Sequence, residues 1–240
     1  MSWPKEIPAK RYPSDLTHEA WQILEPLLKE LNPYKTGRPR KHDLREILNA
    51  IFYLNKTGCP WRYLPKDFPH DTVISDYYHK GVDHHVLEQI HTAIHPQLRK
   101  GVGRNENPSA GIIDRQTVKG TPESVKEVGI DGGKRVKGRK RHIVLDTIGY
   151  LIVVVVHAAN VHDNKGAKQV FDVLSSMVKT IQKIWVDMAY QGEELAQRAK
   201  DKLDCVIEVV KKKEGKGFQV VSWRWIVVVY LIVIRTRYFK

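Results

Sequence analysis

Two aspartates at the ends of predicted strands are the residues of this chain best suited to metal chemistry. Asp114 follows the β-branched run in GIID, and Asp187 follows the one in IWVD. Carboxylate oxygens are the ligands that hard cations such as Mg²⁺ prefer. Neighbouring strands lie about 4.8 Å apart, so aspartates on adjacent strands can share a metal. Either aspartate alone could equally cap the turn that follows it, and this alternative stays open.

A dense basic segment, DGGKRVKGRKRH, lies between the two aspartates and supplies groups that can bind phosphate: Lys134, Arg135, Lys137, Arg139, Lys140 and Arg141. Such contacts give affinity that depends on salt and carry little sequence information. The glycines at 132, 133 and 138 would let backbone amides approach phosphate closely. A solvated loop is the alternative for this segment. Together with paired carboxylates, it favours metal-dependent cleavage of a nucleic-acid backbone, which two Mg²⁺ ions roughly 3.5–4 Å apart can support.

Composition points in the same direction. The 240 residues carry a formal net charge of +13 with a pI near 9.6, which favours a polyanionic partner. The two cysteines, Cys59 and Cys205, form no disulfide framework. The N-terminus lacks the apolar segment of a secretory signal, and no apolar run reaches the roughly 20 residues of a membrane span. We therefore expect a cytoplasmic, nucleoid-associated protein without membrane contact.

Residues 1–100 are predicted to form a small all-α domain. Thr17, Asp43 and Asp71 are expected to cap three helices, with a fourth over 83–98. Pro26 predicts a kink or a break in the first helix. The third helix could enter a DNA groove in a helix-turn-helix-like arrangement, with phosphate contacts from Arg38, Arg40 and Lys41. Trp61 and Tyr63 are expected in the core.

The pattern changes to α/β after a predicted linker at 101–111. Residues 112–240 form the second predicted domain, with a β-β-β-α-β-α-β order from about residue 111 to 211. Asp114 and Asp187 fall on the first and fourth strands, which is the layout of a ribonuclease H-like mixed sheet with flanking helices. His142 and Asp146 could act near the site or be structural, and His162 is favoured as a cap over a ligand.

Several segments together resemble the bacterial insertion-sequence transposases of the DDE type, in the insertion-sequence-five group. The resemblance spans residues 12–227 and is most specific in DGGKRVKGRKRHIVLDTIGYL, with further matches in GRPRKHDLREILNAIFYLNKTGCPWRYLP, AANVHDNKGA and WVDMAYQG. It implies a helical DNA-binding domain before a ribonuclease H-like catalytic domain. It also implies Mg²⁺, or Mn²⁺ in its place, with Asp114 and Asp187 as the first two catalytic carboxylates and metal ligands.

The activity implied by this resemblance is strand cleavage at the element ends, followed by strand transfer from the freed 3′-hydroxyl to target DNA. The implied partners are the terminal inverted repeats, target DNA and further copies of this chain, as a homo-oligomer on DNA.

The resemblance ends before the family's third carboxylate, a Glu shortly after an Arg-Trp pair. Arg224 and Trp225 are present, but Val228 stands where that Glu is expected. The apolar run that follows, from Ile226 to Ile234, favours a strand, and the abrupt change suggests a shift of reading frame near codon 228. Glu193 and Glu194 are interpreted as favourable charges at the start of a helix and not as replacements for the missing third carboxylate.

Four functions remain open from the sequence. The first is a transposase whose catalytic triad is broken, and the second is an inactive DNA-binding relative that inhibits an intact one. The third is another ribonuclease H-like nuclease, such as a junction resolvase. The fourth is a non-functional remnant that does not fold stably.

Overall fold

The computed structural model of the chain describes residues 11–31, 41–120 and 127–210. These divide into two compact units, one reaching Ile94 and one beginning at His95. The first unit is helical and the second combines a mixed sheet with helices. The prediction of an α/β fold behind a helical N-terminal region is thereby confirmed.

Four α-helices and a short 3-10 helix organise the N-terminal unit: α1 (His18–Glu30), α2 (Leu44–Thr57), the 3-10 helix Trp61–Tyr63, α3 (Asp71–Asp83) and α4 (Val86–Gly101), which continues into the second unit. Thr17 accepts from the amide of Ala20 at 3.2 Å and Asp43 accepts from that of Arg45 at 2.7 Å, so both predicted caps are confirmed. Pro26 lies within α1, which is assigned as a single helix.

Three local expectations for this unit are wrong. His70, and not Asp71, is the N-cap of α3. The fourth helix begins three residues later than expected and ends at Gly101. Tyr63 is 76 % exposed, whereas its neighbours Trp61 and Leu64 pack against the apolar cluster that contains Phe68 and Ile74.

Two apolar clusters hold the N-terminal helices together. One joins α1, α2 and α4 through Trp21, Leu28, Leu48, Val86 and Ile90, and the other joins α2 and α3 through Ile47, Ala50, Ile51, Phe68 and Ile74. Their 3–4 residue spacing along each helix is what the sequence pattern indicates.

The second unit is built on one mixed sheet. Its strands are β1 (Ala110–Lys119), β2 (Gly129–Asp131), β3 (Val136–Asp146), β4 (Leu151–Ala158), β5 (Lys183–Val186) and β6 (Val206–Val209). The order is β2-β3-β1-β5-β6, with β4 also paired to β3. β3 runs antiparallel to its neighbours, whereas β1, β5 and β6 are parallel. The short strand β2 was not predicted, because three residues beside glycines give no periodic signal.

Helices α5 (Asp163–Met177) and α6 (Glu193–Leu203) cover one face of this sheet. The core between the helices and the sheet includes five fully buried residues: Val144, Val170, Phe171, Leu174 and Ile184. A smaller cluster on the other face contains Ile112, Ile143, Leu145 and Trp185. None of the described helices is long and apolar enough to cross a membrane.

Asp146 has a structural role at the end of β3. Its carboxylate is fully buried and pairs with Arg99 near the end of α4. It also accepts from the amides of Ile148 at 2.9 Å and Tyr150 at 2.8 Å, which closes the hairpin to β4. This carboxylate therefore fixes the hairpin predicted around Ile148-Gly149-Tyr150.

Candidate functional site

Asp114 and Asp187 lie on neighbouring parallel strands. Ile112 of β1 is the register partner of Trp185 of β5, and each aspartate comes two residues later. Because side chains alternate along a strand, this spacing directs both aspartates to the face that carries Ile112 and Trp185. Asp114 is buried and Asp187 is half-buried. Each aspartate therefore lies two residues beyond these paired positions, with Asp114 inside β1 and not at the strand end expected from the sequence, and Asp187 directly after β5.

Tyr190 reports on the electrostatics of this edge. Burial raises the pKa of Tyr190 well above its usual value, and the charges of Asp114, Asp187 and Asp163 raise it further. All three carboxylates are therefore close enough to act on one hydroxyl group. These three carboxylates make this end of the sheet an acidic edge, whose effect on Tyr190 is opposed by the charge of Arg115.

The two aspartates suit a hard divalent cation in donor chemistry. Carboxylate oxygens bind Mg²⁺, which keeps several waters and so needs few protein ligands. Within the described residues, no three His, Cys, Asp or Glu side chains form a metal-binding group. The position of the expected third carboxylate, Val228, lies outside the described residues. In donor chemistry, Asp114 and Asp187 are compatible with a divalent cation.

Asp163, the first residue of α5, is neutralised by two cations. Its carboxylate oxygens lie 2.9 Å from Nε of Arg115 and 2.9 Å from Nζ of Lys140. Lys140 also donates to the carbonyl of Val161 at 2.9 Å and is only 5 % exposed. Its ammonium group is therefore bound by Val161 and Asp163 in the interior and is not available for the phosphate contact expected of Lys140.

The other residues of the basic segment differ in exposure. Lys134, Arg135 and Lys137 are exposed on the β2–β3 hairpin, whereas Arg139 and Arg141 are half-buried. Arg141 donates from Nε to the side-chain oxygen of Gln116 at 2.8 Å. Only the hairpin residues therefore present freely accessible charge.

Two glycines of this segment have roles in the backbone structure, one in the β2–β3 turn and one in the pairing of β1 with β3. Asp131 accepts from the amides of Gly133 at 3.0 Å and Lys134 at 3.1 Å, so these amides are engaged within the turn. At Gly138 a Cβ would lie 1.9 Å from the carbonyl oxygen of Val118. Close pairing of β1 and β3 thus requires glycine at 138, which differs from the phosphate role expected for it.

Two imidazoles lie beneath α5. His142 and His157 have ring centroids 4.9 Å apart, and a Cβ at Gly166 would fall 2.3 Å from Nε2 of His142 and 2.5 Å from Nε2 of His157. Burial, followed by the charge of His157, lowers the pKa of His142 to about 4. His142 is therefore neutral at physiological pH. Gly166 lets the helix approach these rings, and a lone glycine within a helical pattern is the sequence signal for such contact.

Other site expectations have mixed outcomes. His162 caps α5 by accepting from the amide of Asn164 at 3.3 Å, as predicted. Glu193 and Glu194 open α6, also as predicted, and Glu194 pairs with Lys168. Lys41 is exposed at the start of its segment. Arg38 and Arg40 lie outside the described residues.

Two family models match this chain. Residues 105–224, half of the chain, match the model of the transposase DDE domain. Residues 16–91 match a putative transposase of the IS4/5 family. The chain belongs to the IS4/IS5 family of DDE transposases. No curated protein matches it.

A search of the solved structures finds a distant likeness. A piggyBac transposase synaptic complex with hairpin DNA, solved by cryo-EM, matches with a TM-score of 0.36 and 14 % identity. The match covers 85 % of this chain and 51 % of that one, so this DDE family member spans about half the length of that protein. A likeness at this level establishes no shared activity.

Sequence reasoning missed the residues that surround the two aspartates. Tyr190 lies one 3-10 turn beyond Asp187, and Arg115 directly follows Asp114. Neither has a periodic or compositional signal, because its position depends on strand pairing between distant segments. Their places in this DDE domain become apparent only from the fold.

Proposed function

We propose that this chain binds the ends of an insertion element and supports metal-dependent cleavage of the DNA backbone. The observation that supports the proposal is the parallel pairing of Ile112 with Trp185, since Asp114 and Asp187 each follow two residues later in a chain that matches the DDE domain. We propose Asp114 and Asp187 as ligands of Mg²⁺ or Mn²⁺. When bound, the metal would help to activate a water and stabilise the leaving 3′-oxygen.

The protein side chains would divide the remaining work. The exposed Lys134, Arg135 and Lys137 would bind phosphates and hold the scissile strand near the acidic edge. Arg38, Arg40 and Lys41 would supply phosphate contacts from the helical N-terminal region, with 101–111 as its linker to a ribonuclease H-like domain. We further propose assembly as a homo-oligomer on the paired element ends, in the cytoplasm at the nucleoid.

Val228 favours a second candidate. Where the family pattern has its third carboxylate, a valine cannot bind a metal. The second candidate is therefore an inactive DNA-binding relative, which would inhibit an intact transposase or be a remnant without function. Since a 1 Å error in positioning can cost on the order of a hundredfold in rate, loss of a ligand should slow cleavage at least about as much.

Nicking of DNA that carries the repeats flanking the coding sequence separates these candidates. The chain as written is compared with a repaired chain that has a Glu-bearing helix in place of 228–240, and with Asp114→Asn and Asp187→Asn in both. We expect all to bind the ends, and the repaired chain alone to nick efficiently with Mg²⁺ or Mn²⁺. Binding without nicking by the chain as written supports the second candidate. Normal nicking by a repaired chain with either Asn substitution would show that the site is assigned wrongly.

A further inference from the structure

Asp187 is part of a very short and well-defined turn. It is the N-cap of the 3-10 helix Met188–Tyr190, and its carboxylate accepts from the amide of Ala189 at 2.9 Å. Its carbonyl accepts from the amide of Tyr190 at 3.1 Å. The position of the Asp187 carboxylate is therefore coupled to the position of Tyr190, three residues later.

Tyr190 is anchored beneath α5. Its side chain is 1 % exposed, and its hydroxyl lies 2.7 Å from Nδ1 of the fully buried His142. The two rings meet edge to face, with an interplanar angle of 69°. This buried hydrogen bond holds the Tyr190 side chain in place, because moving it away would leave a polar group unsatisfied in the core.

His142 connects this anchor to the strand that carries the other carboxylate. On β3 it is the register partner of Arg115, and the next residue, Ile143, is the partner of Asp114. The Tyr190–His142 hydrogen bond thus ties the turn of Asp187 to the strand pair of Asp114. A further contact of this segment, from the side-chain amide of Asn164 to the carbonyl of Gln191, is longer at 3.3 Å and exposed.

We infer that Tyr190, held by His142, is a positioning residue that sets the separation of Asp187 from Asp114. This inference rests on the proposed function for its consequence, since the separation matters where the two carboxylates share a metal. Groups that orient metal ligands from behind typically affect metal affinity by about 10–100-fold when removed. Tyr190 contacts no reacting atom in this arrangement and acts only through the turn.

Tyr190→Phe removes the hydroxyl and keeps the ring. Phe171→Leu is the control, since Phe171 is a fully buried residue of the same core without a polar atom. For both full-length variants, Mn²⁺ affinity is measured by calorimetry, and hydrogen–deuterium exchange is measured for the 187–191 segment without metal. We expect Tyr190→Phe to weaken Mn²⁺ binding by about tenfold or more and to accelerate exchange in the segment. Phe171→Leu should do neither beyond its effect on global stability.

The two readouts separate failure of this inference from failure of the proposed site. Unchanged exchange at 187–191 in Tyr190→Phe, or equal effects in both variants, would overturn the positioning role. An unchanged Mn²⁺ affinity in Asp187→Asn would instead overturn the proposed metal site, while the exchange data still test the anchor. Should Tyr190→Phe not fold, exchange in the wild-type chain decides. The amides of Ala189 and Tyr190 should then be protected to the same extent as that of Val144 in β3, and fast exchange at both would contradict the inference.

Discussion

The hydroxyl of Tyr190 lies 2.7 Å from Nδ1 of His142, and both side chains are buried in the core of the DDE domain. This contact joins the segment after β5 to the middle of β3. Tyr190 follows Asp187 by three residues, and His142 precedes Ile143, the register partner of Asp114. The segment that follows Asp187 is therefore held by the buried, neutral imidazole of His142.

Stability should fall in mildly acidic solution because of His142. Its pKa is lowered from 6.5 to about 4, mainly by burial, so the unfolded chain binds a proton between these pH values and the folded chain does not. Stability from the neutral imidazole is present above pH 6.5 and is lost as the pH falls to about 4. The full difference corresponds to roughly 3 kcal/mol.

Urea unfolding at pH 7, 6, 5 and 4.5 measures this dependence. His142→Asn should reduce the loss of stability across this range, and substitution of the exposed His84 by Gln should keep the wild-type slope. A His142→Asn slope equal to that of the wild type would show that protonation of His142 does not contribute.

Gly166→Ala should destabilise the DDE domain. A Cβ at this position would lie 2.3 Å from His142 Nε2, so α5 or the imidazole must move. Overpacking of this kind typically costs about 1–3 kcal/mol. Gly132→Ala is the control because a Cβ there meets no atom within 4 Å. Equal free energies of unfolding for the two variants would contradict the packing of α5 against these rings.

Asp146→Asn should be among the more damaging single substitutions. It leaves Arg99 buried beside a neutral amide, and breaking a buried pair typically costs about 3–5 kcal/mol. The matched control is Asp172→Asn, since Asp172 pairs with Arg198 at the surface of α5, and exposed pairs contribute about 0–1 kcal/mol. Chemical denaturation of both variants measures the difference. Similar stabilities would show that the Arg99–Asp146 pair is not formed in solution.

The exposed hairpin lysines should contribute to the salt dependence of DNA binding. Replacing Lys134 and Lys137 with Ala should lower the slope of log affinity against log salt by about two, because each phosphate contact contributes about 0.9. Lys179 and Lys202 of the same domain are also exposed, and their double Ala variant should keep the wild-type slope. Fluorescence anisotropy over a range of NaCl concentrations gives both slopes. No change for the hairpin variant would remove the hairpin from the DNA surface.

The sequence predicts this molecule well where the signal is local. Thr17 and Asp43 mark helix starts because capping is decided within three residues, and the run before Asp187 marks a strand by its β-branched residues. The position of Asp114 relative to β3 and β5 depends on pairing between distant segments. The sequence could therefore suggest it only through the predicted order of the strands. Lys140 shows the limit most clearly. It is one of six basic residues in the segment 134–141, and nothing in the sequence distinguishes it from the others. In the structure it is buried and forms an ion pair with Asp163.

The central claim is that Asp114 and Asp187 bind one divalent cation together. Calorimetric titration of the full chain with Mn²⁺ tests it most directly, in parallel with Asp114→Asn, Asp187→Asn and the exposed control Asp172→Asn. Either site substitution should weaken Mn²⁺ binding by about tenfold or more, while the control should bind as the wild type does. Wild-type affinity in both site variants would contradict it.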